Sequence, residues 1–167
     1  MSPLTYIFTA AIMVASLIVQ GHSSFDVIRI AGVKPDLLFI AVLYFGYNFG
    51  SFYGEVTGFA GGLFQDAVSS SPLGLLALPK VLIGYVVGLI GRSILKPNLL
   101  TIIILVFGAS LVKGLITLFL SFLFQDGTIS SVISIIFPEA FYNTLLAPFL
   151  FFIFDRIFAH EIEGGSY

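Results

Sequence analysis

Apolar positions along this chain fall into six runs separated by short polar breaks, and the runs are long enough to be helices rather than strands. The predicted helices cover residues 3–20, 35–50, 52–66, 72–91, 98–124 and 131–158. Pro3, Pro35, Pro72 and Pro97 stand at or just before the starts of runs, where a missing N–H costs little. Pro138 and Pro148 fall inside the last run and predict kinks there. In the third run glycines recur every fourth residue, at Gly54, Gly58 and Gly62, and the run ends on the acid Asp66. Residues four apart share a helix face, so three absent side chains leave a groove in which another backbone can come close. Gly84 and Gly88 repeat that spacing in the fourth run. The plainer reading packs the third helix against the fourth; the alternative gives one of these faces to a helix of another chain.

Composition turns the helices into membrane spans. Of 167 residues, 58% are hydrophobic and 10% charged, with a mean hydropathy of +1.09. An ordinary soluble domain carries roughly 25% charged residues. A chain this poor in charge cannot cover a globule with polar surface, so its solvent is the bilayer. The reading is an all-α, polytopic membrane helix bundle forming one transmembrane domain over residues 1–167. The first run has neither a basic leader nor an A-x-A-like cleavage site, which predicts a retained span rather than a signal peptide. A net charge of −2 without any basic run gives no support to a nucleic-acid partner. The absence of cysteine excludes disulfides and thiolate metal sites.

With six spans both chain ends share a side with Arg92, Lys96 and Arg156, which the positive-inside rule makes cytoplasmic, while Arg29 and Lys34 fall outside against the rule. A five-span alternative, with residues 52–66 re-entrant, puts all these basic residues inside and the N-terminus outside. Six spans are adopted because a glycine-rich helix surrounded by protein can be short.

Charges inside apolar runs carry the candidate chemistry. Lys113 lies near the middle of the fifth run, where an unpartnered charge costs at least ~2.5–3.5 kcal/mol. Glu139 lies about seven residues into the sixth run, at a comparable depth across the intervening turn. Lys80 and Asp66 flank the serine-rich turn Ser69, Ser70, Ser71 in the same way. The simplest expectation is two ion pairs, Lys113 with Glu139 and Lys80 with Asp66, holding neighbouring helices in register; a substrate or proton pathway and a contact to a partner protein are the alternatives. Catalytic and metal readings fail. His22 and His160 stand at run ends without ligands at metal spacing. Ser93 and Lys96 match S-x-x-K without the motifs that accompany it. Ser110 has no histidine within a span to act as its base. No cofactor is implied.

Five motifs in order, Pro35-Asp-Leu-Leu, Gly58-Phe-x-x-Gly62-Leu-x-x-Asp66, Ser71-Pro-Leu-Gly74, Gly84-Tyr85-x-x-Gly88 and Pro138-Glu-Ala-Phe-Tyr-Asn143 with Pro148, span most of the chain. Together they resemble the MreD family of rod shape-determining membrane proteins. The resemblance implies a non-enzymatic component of the inner (cytoplasmic) membrane that serves lateral wall elongation in rod-shaped bacteria. It implies the partner MreC, a single-span protein with a large extracytoplasmic part, and through it MreB, the RodA glycosyltransferase and its transpeptidase partner. Homodimer formation is a further option. The family's bundle is also similar to the six-helix substrate-binding subunits (S-components) of energy-coupling-factor transporters, which sustains a rival reading as a vitamin-binding subunit. Such a subunit needs polar groups converging on a pocket. The outer loops offer mainly the serine triplet, Gln125, Asp126 and Thr128, which favours the scaffold.

Overall fold

The computed structural model describes residues 3–22, 29, 32–69, 71–124 and 129–164, and the regular structure among them is six helices. These are α1 (Pro3–Gly21), α2 (Leu37–Phe49), α3 (Ser51–Ser69), α4 (Ala77–Ile94), α5 (Leu99–Phe124) and α6 (Ile129–Gly164). Two stretches, Leu99–Phe124 and Ser134–His160, are long and apolar enough to cross a membrane. Ser70, Gln125, Asp126 and Thr128 lie outside the described residues.

The largest differences from the sequence pattern surround the α3–α4 turn. Asp66 sits inside α3 rather than ending it, and α4 starts at Ala77, five residues after Pro72. The intervening chain turns at Gly74, whose φ of +98° favours glycine. It is fixed by the Asp66 carboxylate, which accepts from the backbone N–H of Gly74 (2.8 Å), Leu76 (2.9 Å) and Ala77 (3.3 Å) and from the Ser71 hydroxyl (3.1 Å). An acid at this place satisfies N–H groups that the first turn of α4 would otherwise leave open. α6 runs as one helix of 36 residues through Pro138 and Pro148.

α2 is the axis of the bundle. Every residue from Leu38 to Phe45 is fully buried, as suits a helix that is apolar all round. At 13 residues it is about 20 Å long. α3, α4 and α6 pack around it, with α1 against its outer side, and α5 joins through α6. At its C-terminal end, Tyr44 and Phe45 meet Phe151, Phe154 and Phe158 of α6 in a cluster of edge-on and stacked rings. The Tyr44 hydroxyl donates to Asp155 (3.0 Å) and that of Tyr47 to the Leu95 carbonyl (2.9 Å), so both rings keep a polar tether. Outward faces are apolar as well: Ile18, Phe64, Leu115, Phe119 and Phe141 are each more than half exposed. Apolar surface on this scale is foreign to a water-solvated monomer.

α3 and α4 form an antiparallel pair in which glycine meets backbone along the whole length. A Cβ on Gly54 would lie 2.1 Å from the Gly84 carbonyl oxygen, one on Gly58 2.6 Å from that of Lys80, and one on Gly62 2.3 Å from Ala77 Cα. From the other side, a Cβ on Gly84 would meet the Gly54 oxygen at 2.3 Å and one on Gly88 would meet Ser51 Cα at 2.3 Å. α2 enters the same seam through Gly46, where a Cβ would come within 2.7 Å of the Gly84 oxygen. No side chain fits between these backbones.

Candidate functional site

The tight α2–α3–α4 seam determines where Lys80 ends up. With α4 pressed against α2, Lys80 leaves the first turn of α4 fully buried and reaches the start of α2. Asp36 waits there as the N-cap of α2, its Oδ1 accepting from the Phe39 N–H at 2.9 Å. Lys80 Nζ lies 2.8 Å from Asp36 Oδ2 in an ion-pair contact that is off the line of a good hydrogen bond. Lys113 of α5 donates to the same Oδ2 at 2.7 Å and also to Glu139 Oε1 of α6. It lies 5.0 Å from the centre of the Phe39 ring. Two lysines and two carboxylates from four elements thus form one neutral cluster, with Asp36 at its centre.

Around the charges runs a second, uncharged shell. The Asp36 N–H donates to Asn143 Oδ1 (2.8 Å), and Asn143, fully buried on α6, donates from Nδ2 to the Ser110 hydroxyl of α5 (3.2 Å). Gln20, at the end of α1, accepts from the N–H groups of Leu37 (3.0 Å) and Leu38 (2.8 Å) in the amide orientation that satisfies both. The start of α2 is therefore held from α1, α4, α5 and α6 at once. Satisfied polar networks of this kind fix one arrangement of helices in a medium that offers no water as a substitute partner.

Of the four intramembrane charges singled out from the sequence, three join the cluster and Asp66 does not. Lys80 pairs with Asp36, not Asp66, because the Asp66 carboxylate is occupied by the N–H groups opening α4. Asp36, Asn143 and Ser110 are the residues that the sequence reading gave no role in the cluster. A signal for Asp36 was present: an acid directly after Pro35 and before an apolar run is an N-cap pattern.

A cleft of about 500 Å³ opens beside the cluster, with Lys113, Asp36 and Glu139 on its wall. A second hollow of similar volume lies between α4 and α5, lined almost wholly by apolar side chains such as Leu82, Val86, Ile104, Leu105 and Val112. Gly108 lines it, and a Cβ there would meet nothing within 4 Å.

Residues 2–160 match the family model described as MreD, rod shape-determining protein MreD. The chain belongs to the MreD family. Neither the comparison with curated proteins nor that with solved structures gives a match. Membership of the MreD family assigns the chain to rod-shape determination and to the membrane proteins. The match extends over all six helices, so the charge cluster and the glycine seam both lie within the family region.

Proposed function

We propose that this chain is a non-enzymatic scaffold of the bacterial inner membrane, crossing it six times, that seats the membrane helix of MreC for the wall-elongation machinery. Through MreC it is linked to MreB and to RodA with its transpeptidase partner. The observation that carries this reading is the apolar hollow between α4 and α5. Lys80, Lys113, Asp36 and Glu139 pair with one another, and the glycine faces of α3 and α4 are filled by each other's backbones. α4 and α5 touch only sparsely, and Gly108 leaves room for close approach of another backbone. In a bilayer such a seam gains from van der Waals packing of an added helix rather than from hydrophobic burial. No cofactor is needed for this role.

Gly108→Leu and Val112→Trp fill the hollow without touching the charge cluster. Co-expressed with MreC, both variants should reach normal abundance and fail to co-purify MreC, and cells relying on them should lose rod shape. Normal co-purification by both would overturn the assignment of this groove. A second copy of the chain recovered in place of MreC would mark the groove as a dimer contact.

The rival reading, a vitamin-binding subunit of an energy-coupling-factor-type transporter, draws on the charged cleft. A water-soluble vitamin that co-purifies with the protein and is identified by mass spectrometry would favour it over the scaffold.

A further inference from the structure

Two charges on the outer surface of the helices stand apart from the central cluster. Glu55, one turn into α3, is exposed, and among the described residues it makes neither a hydrogen bond nor an ion pair. Its surroundings on α3 are apolar: Phe52 is 71% exposed and Phe59 56%. Arg156, on α6, is exposed as well and meets no carboxylate among the described residues. Its guanidinium lies 5.0 Å from the centre of the Phe152 ring, and Phe149 and Phe152 are themselves more than half exposed. A charge on the apolar outside of a membrane bundle is costly while it stays unpaired. Each of these side chains calls for a partner of opposite sign.

Depth and direction say where that partner comes from. Gly54, next to Glu55, packs on α2 so closely that a Cβ there would lie 2.9 Å from the Gly46 Cα. Phe154 and Phe158, two residues either side of Arg156, pack on Phe45 of α2 with ring centres 6.5 and 5.6 Å apart. Both charges therefore sit at the depth of the C-terminal end of α2. They leave the bundle on different sides. α2 gives Gly46 to the α3–α4 seam and Tyr44 and Phe45 to α6, so it stands between the two. Arg156 is half a turn from Phe154 and Phe158, on the face of α6 turned away from α2. A chain cannot join its own Glu55 to its own Arg156, but a neighbour crossing the membrane in the same sense can.

We propose that copies of this chain associate head to tail in the plane of the membrane, with Glu55 of one copy paired to Arg156 of the next. Phe52 and Phe59 of the first copy pack against Phe149 and Phe152 of the second. In lipid such a contact draws on van der Waals packing and on the polar pair, not on hydrophobic burial. The two surfaces differ, so every added copy leaves one of each unfilled, and the assembly grows into a row or ring instead of stopping at a dimer. The contact is separate from the α4–α5 groove and does not depend on MreC.

The chain has no cysteine, so introduced thiols report the contact directly. Phe52→Cys and Phe152→Cys flank the two charges and leave both in place. After oxidation in native membranes, the full chain carrying both substitutions should give a ladder of dimers, trimers and larger species. Co-expressed, differently tagged chains carrying one substitution each should give the mixed dimer alone. Glu55→Arg or Arg156→Glu should lower the cross-linked fraction about tenfold, a loss of ~1.4 kcal/mol per contact. Glu55→Arg and Arg156→Glu together should restore it, which a merely misfolded variant could not do. Gly108→Leu should leave the ladder intact. Absence of the mixed dimer, cross-links between two chains that carry the same single cysteine, or a ladder indifferent to charge reversal would each overturn the proposal. So would failure of the charge swap to restore it, or capture of MreC at Phe52→Cys in place of a second copy.

Discussion

Asp36 contacts two buried lysines at once, so the members of the cluster are not equivalent. Removing Lys80 leaves Asp36 still paired with Lys113. Removing the Asp36 charge strands Lys80, which is fully buried and has no other carboxylate in contact among the described residues. Breaking a buried pair by deleting one partner costs ~3–5 kcal/mol, whereas deleting both ends is often milder. Asp36→Asn should therefore lower folded yield and Tm in detergent far more than Lys80→Met, and the Asp36→Asn, Lys80→Met double variant should recover part of the loss. Equal losses from the two single changes would contradict the shared-carboxylate geometry. Lys113→Ala should likewise cost more than Glu139→Ala, because Glu139 is partly exposed and Lys113 is not. A double-mutant cycle on that pair should give a non-zero coupling, and strict additivity would rule the contact out.

The element that these charges orient is α2, and its neighbours are held by glycine. An exposed helical glycine changed to alanine gains roughly 0.5–1 kcal/mol of helix propensity. At Gly54, Gly62, Gly84 or Gly88 the added methyl would fall within 2.1–2.3 Å of opposing backbone atoms, which cannot rotate away. Overpacking typically costs ~1–3 kcal/mol even in adaptable cores, so alanine at these four positions should reduce the amount of folded protein in the membrane. Gly108→Ala meets open space and should be neutral or slightly stabilising. Fluorescence size-exclusion profiles of the five variants measure both effects at once; a harmless Gly84→Ala would show that α3 and α4 do not pack in this register. Asp66 serves the same pair from its turn. Asp66→Ala opens three backbone N–H groups at the head of α4, each worth ~1–3 kcal/mol if left unsatisfied, and should destabilise more than Asp66→Asn, which keeps one acceptor.

For the whole molecule, the antiparallel register of α3 on α4 bears on how the chain crosses the bilayer. Contacts run from Gly88 beside Ser51 to Gly62 beside Ala77, so the first part of α3 lies antiparallel against the first part of α4. The six-span arrangement proposed above places the Ser71–Gly74 turn on the opposite side from both termini. Reporter fusions at the N-terminus, at Gly74 and at the C-terminus should read inside, outside and inside. An extracytoplasmic N-terminus would support the five-span arrangement.

Sequence alone determined the class of solvent, the number and order of the helices and the family. Each is local or additive: apolar runs, charge content and motif order need no knowledge of what touches what. It also required a partner for Lys113, since an isolated ammonium in an apolar helix is too costly to stand alone. The glycine spacing announced close packing but not the depth of the contact, nor the entry of Gly46 of α2 into the same seam. Choice of partner belonged to the tertiary structure. Asp66 and Lys80 flank one turn and pair naturally on paper, yet Asp66 faces the N–H groups of Gly74, Leu76 and Ala77, while Lys80 faces the start of α2. Asp36 reads locally as an acid after Pro35 at the head of an apolar run. Only the packing of α4 and α5 around α2 brings two lysines, 44 and 77 residues further along the chain, onto its carboxylate. Which charges meet is a property of helix packing in three dimensions, and spacing along the chain carries little of it.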